Sequence, residues 1–236
     1  HWLAMEFVTG GSVREARLAP LEFARILLGA CRGVAHAHAH GIVHRDLKPE
    51  NLLLKTELRS GVATTVPVVA DFGLARALAA DTQITRTGQV MGTPAYMSPE
   101  QFDGAHAADA RSDVFSLGAI LYQGLTGRKP FPETDWLALL QAVTTRDPAS
   151  PRKLAPALSA DLDAVVMKAL DRDPARRYPH AGALADDLER ALDGRPVMAR
   201  PASSAVRLYR RAAHHKGGLA AALAAATLSA AVLGYL

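Results

Sequence analysis

The sequence predicts an α+β fold that is mainly helical and ends in a transmembrane helix. Three observations carry that reading. Residues 113–122 are apolar on almost every side, the pattern of a helix buried all round. Residues 20–40 set Phe23, Leu27, Cys31 (or Ala30), Val34 and His38 on one face at helical spacing. Residues 217–236 run for twenty positions without a charge, and a helix of that length spans about 30 Å, the thickness of a bilayer core.

Taken in order, residues 2–8 read as a strand that Thr9-Gly10-Gly11-Ser12 breaks. Pro20 suits the first position of the next helix and Gly41 its stop. His36, His38 and His40 alternate along it, but residues two apart on a helix diverge by about 200°, so only His36 and His40 share a face and a three-histidine metal site is not expected. Pro49 excludes a helix interior at 44–51, which reads as a loop. Short strands follow at 51–54 and 66–70, and the polar stretch 55–67 reads as an exposed loop insertion without an assigned role. Thr82, Thr85 and Thr87 lie in a polar segment with few core residues. After the helix opened by Asp113, three more are predicted at 136–145, 159–170 and 179–192, with Ser159 as an N-cap and Gly194 as a terminator.

Composition bounds the rest. A length of 236 residues suits one large domain, or one domain with appendages, and 49% hydrophobic with 21% charged residues is ordinary for a globular core. The net charge of +4 is concentrated late, at Arg195, Arg200, Arg207, Arg210, Arg211 and Lys216. Because an apolar run follows at once, a membrane surface fits this patch better than nucleic acid. Basic residues only on the N-terminal side of 217–236 put the folded part in the cytoplasm. Gly218, Ala222, Ala226, Ala230 and Gly234 form a ridge of small residues, which predicts self-association as a homodimer in the membrane. The single cysteine, Cys31, excludes an internal disulfide and agrees with a reducing compartment. The chain opens at His1 in mid-pattern with no signal peptide, so the expectation is a partial record of a longer protein.

The chemistry is concentrated in His44-Arg45-Asp46-Leu47-Lys48-Pro49-Glu50-Asn51. An aspartate, a lysine two positions on and an amide three further suit a polyphosphate on a metal. Asp46 can accept a proton from an attacking hydroxyl, Lys48 can neutralise charge on the transferred group, and the Asn51 oxygen can hold Mg²⁺, which prefers hard oxygen ligands. A second carboxylate, in Asp71-Phe72-Gly73, follows the strand at 66–70.

These two strings, with Thr93-Pro94-Ala95-Tyr96-Met97-Ser98-Pro99-Glu100 after them, resemble the catalytic loop, the metal-binding loop and the end of the activation segment of bacterial eukaryotic-like (Hanks-type) serine/threonine protein kinases. The resemblance covers about residues 1–193, only the larger lobe of such a kinase, with residues 1–12 as the hinge, 13–194 as the C-lobe, 195–216 as a basic juxtamembrane linker and 217–236 as the membrane span. It implies ATP and Mg²⁺ as ligands and protein Ser/Thr hydroxyls as acceptors. Met5 becomes the gatekeeper, Glu6 and Val8 the backbone partners of adenine, Ser12 a neighbour of the ribose and Leu53 the floor under the base. Asn51 and Asp71 hold the metal. Thr93 bonds both Asp46 and Lys48. Thr85 and Thr87 are autophosphorylation sites, with Arg45 placed to pair with an added phosphate. Glu100 forms a buried ion pair with Arg177, and Asp113 anchors the catalytic-loop backbone. The Gly-rich phosphate loop, the strand lysine and its partner glutamate have no counterpart in these residues, so these 236 residues alone are expected to be inactive. An inert kinase-like scaffold is the competing reading; a small-molecule phosphotransferase is disfavoured by Lys48 and the 93–100 segment.

Overall fold

The computed structural model describes residues 6–59, 62–72, 94–102 and 108–199. The expectations for Met5, Gly73, Thr82, Thr85, Thr87, Thr93 and residues 200–236 lie outside them. Helix α1 (Pro20–Ala39) leads into a loop and a 3₁₀ turn (Pro49–Asn51), then strands β1 (Leu52–Arg59) and β2 (Val62–Val69). A second 3₁₀ turn (Pro94–Tyr96) precedes the short α2 (Pro99–Phe102). Helices α3 (Ala110–Thr126), α4 (Trp136–Thr145), α5 (Pro151–Leu154), α6 (Ala160–Ala169) and α7 (Ala181–Leu192) complete the described part. The fold is thus a mixed, mainly helical one. Among the described residues no helix is long and apolar enough to cross a membrane.

The helix boundaries follow their capping chemistry. Pro20 occupies the first turn of α1, and Gly41 takes a φ of 73° just past its end. Asp109, Asp135 and Ser159 each accept a backbone N–H in the first turn of α3, α4 and α6. Helix α3 is buried on all sides because it is the pillar against which α1, α6 and α7 pack. Gly124 lets it approach α1, since a Cβ there would stand 2.1 Å from the Phe23 ring.

Residues 55–59 and 62–67 are strand and not loop: β1 and β2 pair in antiparallel register, with Thr56 opposite Thr65 and Lys55 opposite Val66. Val62, Thr64, Thr65 and Val66 are β-branched and suit a pleated surface, and pairing outweighs the polarity of the stretch. Pro67 has no N–H to donate, yet it is tolerated because its ring packs at Gly29 of α1, where a Cβ would come within 2.7 Å. At the other end of the expected strand order, Glu6–Val8 carry no strand.

The packed unit runs through Ala199. Asp187 of α7, fully buried, accepts hydrogen bonds from the Tyr178 hydroxyl at 2.9 Å and from the amides of Met198 at 2.6 Å and Ala199 at 2.7 Å. Burial, together with the Asp187 charge and hydrogen bond, pushes the Tyr178 phenol far above its ordinary range, so it stays a donor.

Candidate active site

The loop 44–51 is held by its backbone, and the holder is Asp113 in the first turn of α3. This carboxylate has no exposure to solvent. It accepts the amide of His44 at 2.8 Å and that of Arg45 at 2.8 Å, and His38 of α1 reaches it through Nε2 at 2.8 Å. His38 Nδ1 accepts the Ala181 amide, so Nε2 carries the proton that goes to Asp113. Asp113 thus bonds two consecutive backbone amides of the loop, those of His44 and Arg45. Three donors on one carboxylate also explain why a charge is stable in this core.

His44 ties the loop to the strand end. Its Nδ1 accepts the Asp46 amide at 3.3 Å and its Nε2 donates to the Ala70 carbonyl at 2.8 Å. The Ala70 amide in turn donates to the Asn51 carbonyl at 2.9 Å, and the Phe72 ring lies 4.8 Å from that of His44. Asp71 is therefore the residue that leaves the loop's own hydrogen-bond pattern. Its φ of 59° is left-handed, as is the 67° of Arg45 just before Asp46. Left-handed backbone is costly for residues with a Cβ, and here one instance precedes the Asp46 carboxylate and the other is Asp71 itself.

Within the loop, Lys48 Nζ stands 2.8 Å from Asp46 Oδ2. The Asn51 amide nitrogen donates to the Asp46 carbonyl at 2.9 Å, which leaves its Oδ1 without a partner among the described residues. Asp71 is exposed, and among the described residues no side chain pairs with its carboxylate. Asn51 Oδ1 and the Asp71 carboxylate are thus hard oxygen donors left over after the loop's internal bonds are made, a donor set that fits Mg²⁺. Arg45 is exposed.

On the opposite flank, Ser12 bridges Leu53 of β1, and Val13 and Gly11 exchange backbone hydrogen bonds with Leu52 and Leu54. Leu52 and Leu54 face the core, so strand alternation turns Leu53 to the other side. Glu6 is exposed and pairs with Lys55 at 2.7 Å, and Val8 is half-buried.

Glu100 and Arg177 meet as two parallel bonds of 2.7 and 2.8 Å, with the Ser112 hydroxyl donating to the same carboxylate at 2.6 Å. Burial works to raise the Glu100 pKa, but the hydrogen bonds and charge of Arg177 outweigh it and hold the carboxyl below its usual value. Nearby, burial pushes the Tyr96 phenol up to about 12, so it remains a donor to Gln123 at 2.6 Å.

Two functional neighbours escape the sequence reading. His38 was assigned to the apolar face of α1, and its position there was the one available signal: a histidine on a core face needs a buried partner. Gln101, whose amide reaches the Arg45 carbonyl at 2.7 Å, lies next to Glu100 without any periodic or motif signal.

The family model described as "Protein kinase domain" matches residues 1–188. The chain is 39% identical over 203 residues to serine/threonine-protein kinase PknB of Mycobacterium leprae, covering 84% of this chain and 31% of that protein. It is 41% identical over 194 residues to serine/threonine-protein kinase Pkn1 of Myxococcus xanthus, covering 81% of this chain and 27% of that protein. The chain spans less than a third of the length of these curated relatives.

Proposed function

The chain belongs to the protein kinase domain family, and from that premise we propose that the protein transfers the γ-phosphoryl group of ATP to Ser or Thr hydroxyls of other proteins. The observation that carries the reading is the loop in which Lys48, Asp46 and Asn51 are bonded to one another while Asp113 fixes the backbone beneath them. Asp46 orients the acceptor hydroxyl and takes its proton. Lys48, already beside Asp46, stabilises charge on the transferred group. Asn51 Oδ1 and Asp71 hold Mg²⁺, which when bound neutralises charge on the polyphosphate. Most of the rate then comes from positioning and charge neutralisation, which a loop pinned by buried hydrogen bonds is built to supply. Thr93, as the residue that bonds both Asp46 and Lys48 in kinases acting on Ser or Thr, and Thr85 and Thr87 as phosphorylation sites read by Arg45, belong to the same proposal. So do Met5, Glu6, Val8, Ser12 and Leu53 as the adenosine side.

In this reading residues 1–12 are the hinge and 13–194 the larger lobe. The basic stretch 195–216 leads to a single membrane span at 217–236, with the kinase part on the cytoplasmic side and the small-residue ridge supporting dimerisation. What supports the span is its lack of charge and the basic residues on one side only.

The test is phosphoryl transfer from radiolabelled ATP to a protein acceptor by the full polypeptide. Transfer to Ser or Thr that disappears in Asp46→Asn supports the proposal. Nucleotide binding without transfer favours the scaffold reading, and transfer that persists at the wild-type rate in Asp46→Asn removes Asp46 from its role.

A further inference from the structure

We infer that Gln101 is a positioning residue that sets the orientation of Asp46 by clamping the peptide that joins Arg45 to it; for catalysis this rests on the phosphotransfer reading above. Gln101 lies in α2 and is 5% exposed. Its Oε1 accepts the Ser98 amide at 3.0 Å and the Ser98 hydroxyl at 3.2 Å. A backbone amide is a donor only, so the oxygen of the side-chain amide must face Ser98 and the NH₂ group must face the other way. There it meets one acceptor among the described residues, the Arg45 carbonyl, at 2.7 Å.

That carbonyl belongs to the planar unit that also contains the Asp46 amide. The oxygen side of the plane is held by Gln101, and the nitrogen side by His44 Nδ1. The preceding amide, Arg45 N–H, is held by Asp113. Arg45 sits at a φ of 67°, a conformation that a residue with a Cβ keeps only where its surroundings over-determine it. Without Gln101 the plane loses its grip on one side, and rotation towards the ordinary φ range swings the Asp46 carboxylate away from Lys48. Gln101 is itself seated, because the adjacent Glu100 is locked by Arg177 and Ser112. The geometry therefore makes α2 a strut between the buried ion pair and the catalytic loop. The alternative role, a polar core residue that merely satisfies Ser98, is separable because the two halves of the amide serve different partners.

The experiment compares wild type, Gln101→Glu, Gln101→Met and Ser98→Ala in the full polypeptide. Gln101→Glu keeps an acceptor for Ser98 and loses the donor for Arg45, Gln101→Met loses both, and Ser98→Ala keeps the Arg45 bond. Steady-state phosphotransfer is measured with amide hydrogen exchange at residues 44–46 and in α6. The expected result is a kcat at least about tenfold lower in both Gln101 variants with KM for ATP unchanged. Exchange at 44–46 rises in the same two and not in α6, and Ser98→Ala stays close to wild type. A wild-type kcat in Gln101→Glu overturns the inference, as does a loss confined to KM or a rise in exchange shared equally by α6. If wild type itself transfers no phosphate, the functional reading fails, while the exchange pattern still decides whether Gln101 holds the Arg45–Asp46 peptide.

Discussion

Replacing Glu100 by Ala takes both carboxylate oxygens from a guanidinium whose side chain has no solvent exposure. Arg177 does not lose every partner, since the carbonyls of Asp171, Arg111 and Arg172 still accept from Nε, Nη1 and Nη2. Breaking one side of a buried pair costs about 3–5 kcal/mol, and those three carbonyls put this case at the lower end, about 3 kcal/mol. A domain with about 5–15 kcal/mol in hand still folds, with Tm lowered by about 6–12 °C at about 2–4 °C per kcal/mol. Arg177→Met is destabilising to a similar degree, because it removes the charge but strands the three carbonyls and Glu100. The double variant Glu100→Ala/Arg177→Met should therefore lose clearly less than the sum. Urea unfolding of the four proteins gives the coupling energy, and additivity within about 0.5 kcal/mol would refute the claim that these groups depend on each other. The pH dependence has a definite sign. The folded carboxyl titrates below the 4.5 of an unperturbed glutamate, so the contribution is present above that value and is lost as pH falls through the folded one. The stability advantage over Glu100→Gln is thus flat at neutral pH and shrinks on acidification below 4.5.

Three further outcomes follow from the same geometry. Asp46→Asn abolishes the proposed phosphotransfer while leaving the thermal unfolding curve near wild type, because the Asp46 side chain is exposed and among the described residues its carboxylate bonds Lys48 alone; calorimetry and a transfer assay on one preparation check both halves. Asp113→Asn offers one acceptor oxygen where the carboxylate served three donors, leaving a buried N–H unmatched at about 1.5–3 kcal/mol. Transfer falls by about 100-fold as the loop shifts, read by kinetics and by exchange at 44–46. Asp187→Ala frees the amides of Met198 and Ala199, whose hydrogen exchange should rise towards the solvent rate while that of α3 is unchanged.

How much of this was legible depends on whether a contact is local in sequence. The groups that carry chemistry are contiguous, so Asp46, Lys48 and Asn51 stand out as a string, and Asp71 follows the strand that the loop feeds. Helices α1, α3, α4 and α6 were readable because a buried face repeats with the helical period and because Pro20, Ser159 and Gly41 mark ends. The outer part of the hairpin, 55–59 with 62–65, was not, since its polar stretch lies mostly exposed and has no buried face to alternate against. The supports of the loop were hidden for a different reason. Asp113, His38 and Gln101 act on backbone amides and a carbonyl, groups that every residue has and that leave no mark on sequence; the role of Asp113 came from family resemblance, while His38 and Gln101 were missed. A site of this design thus writes its reactive side chains in one short stretch and distributes their rigidity over α1, α2 and α3. It follows that substitutions far from 44–51 in sequence, at Gln101 above all, should alter phosphotransfer without touching any group that meets the substrate.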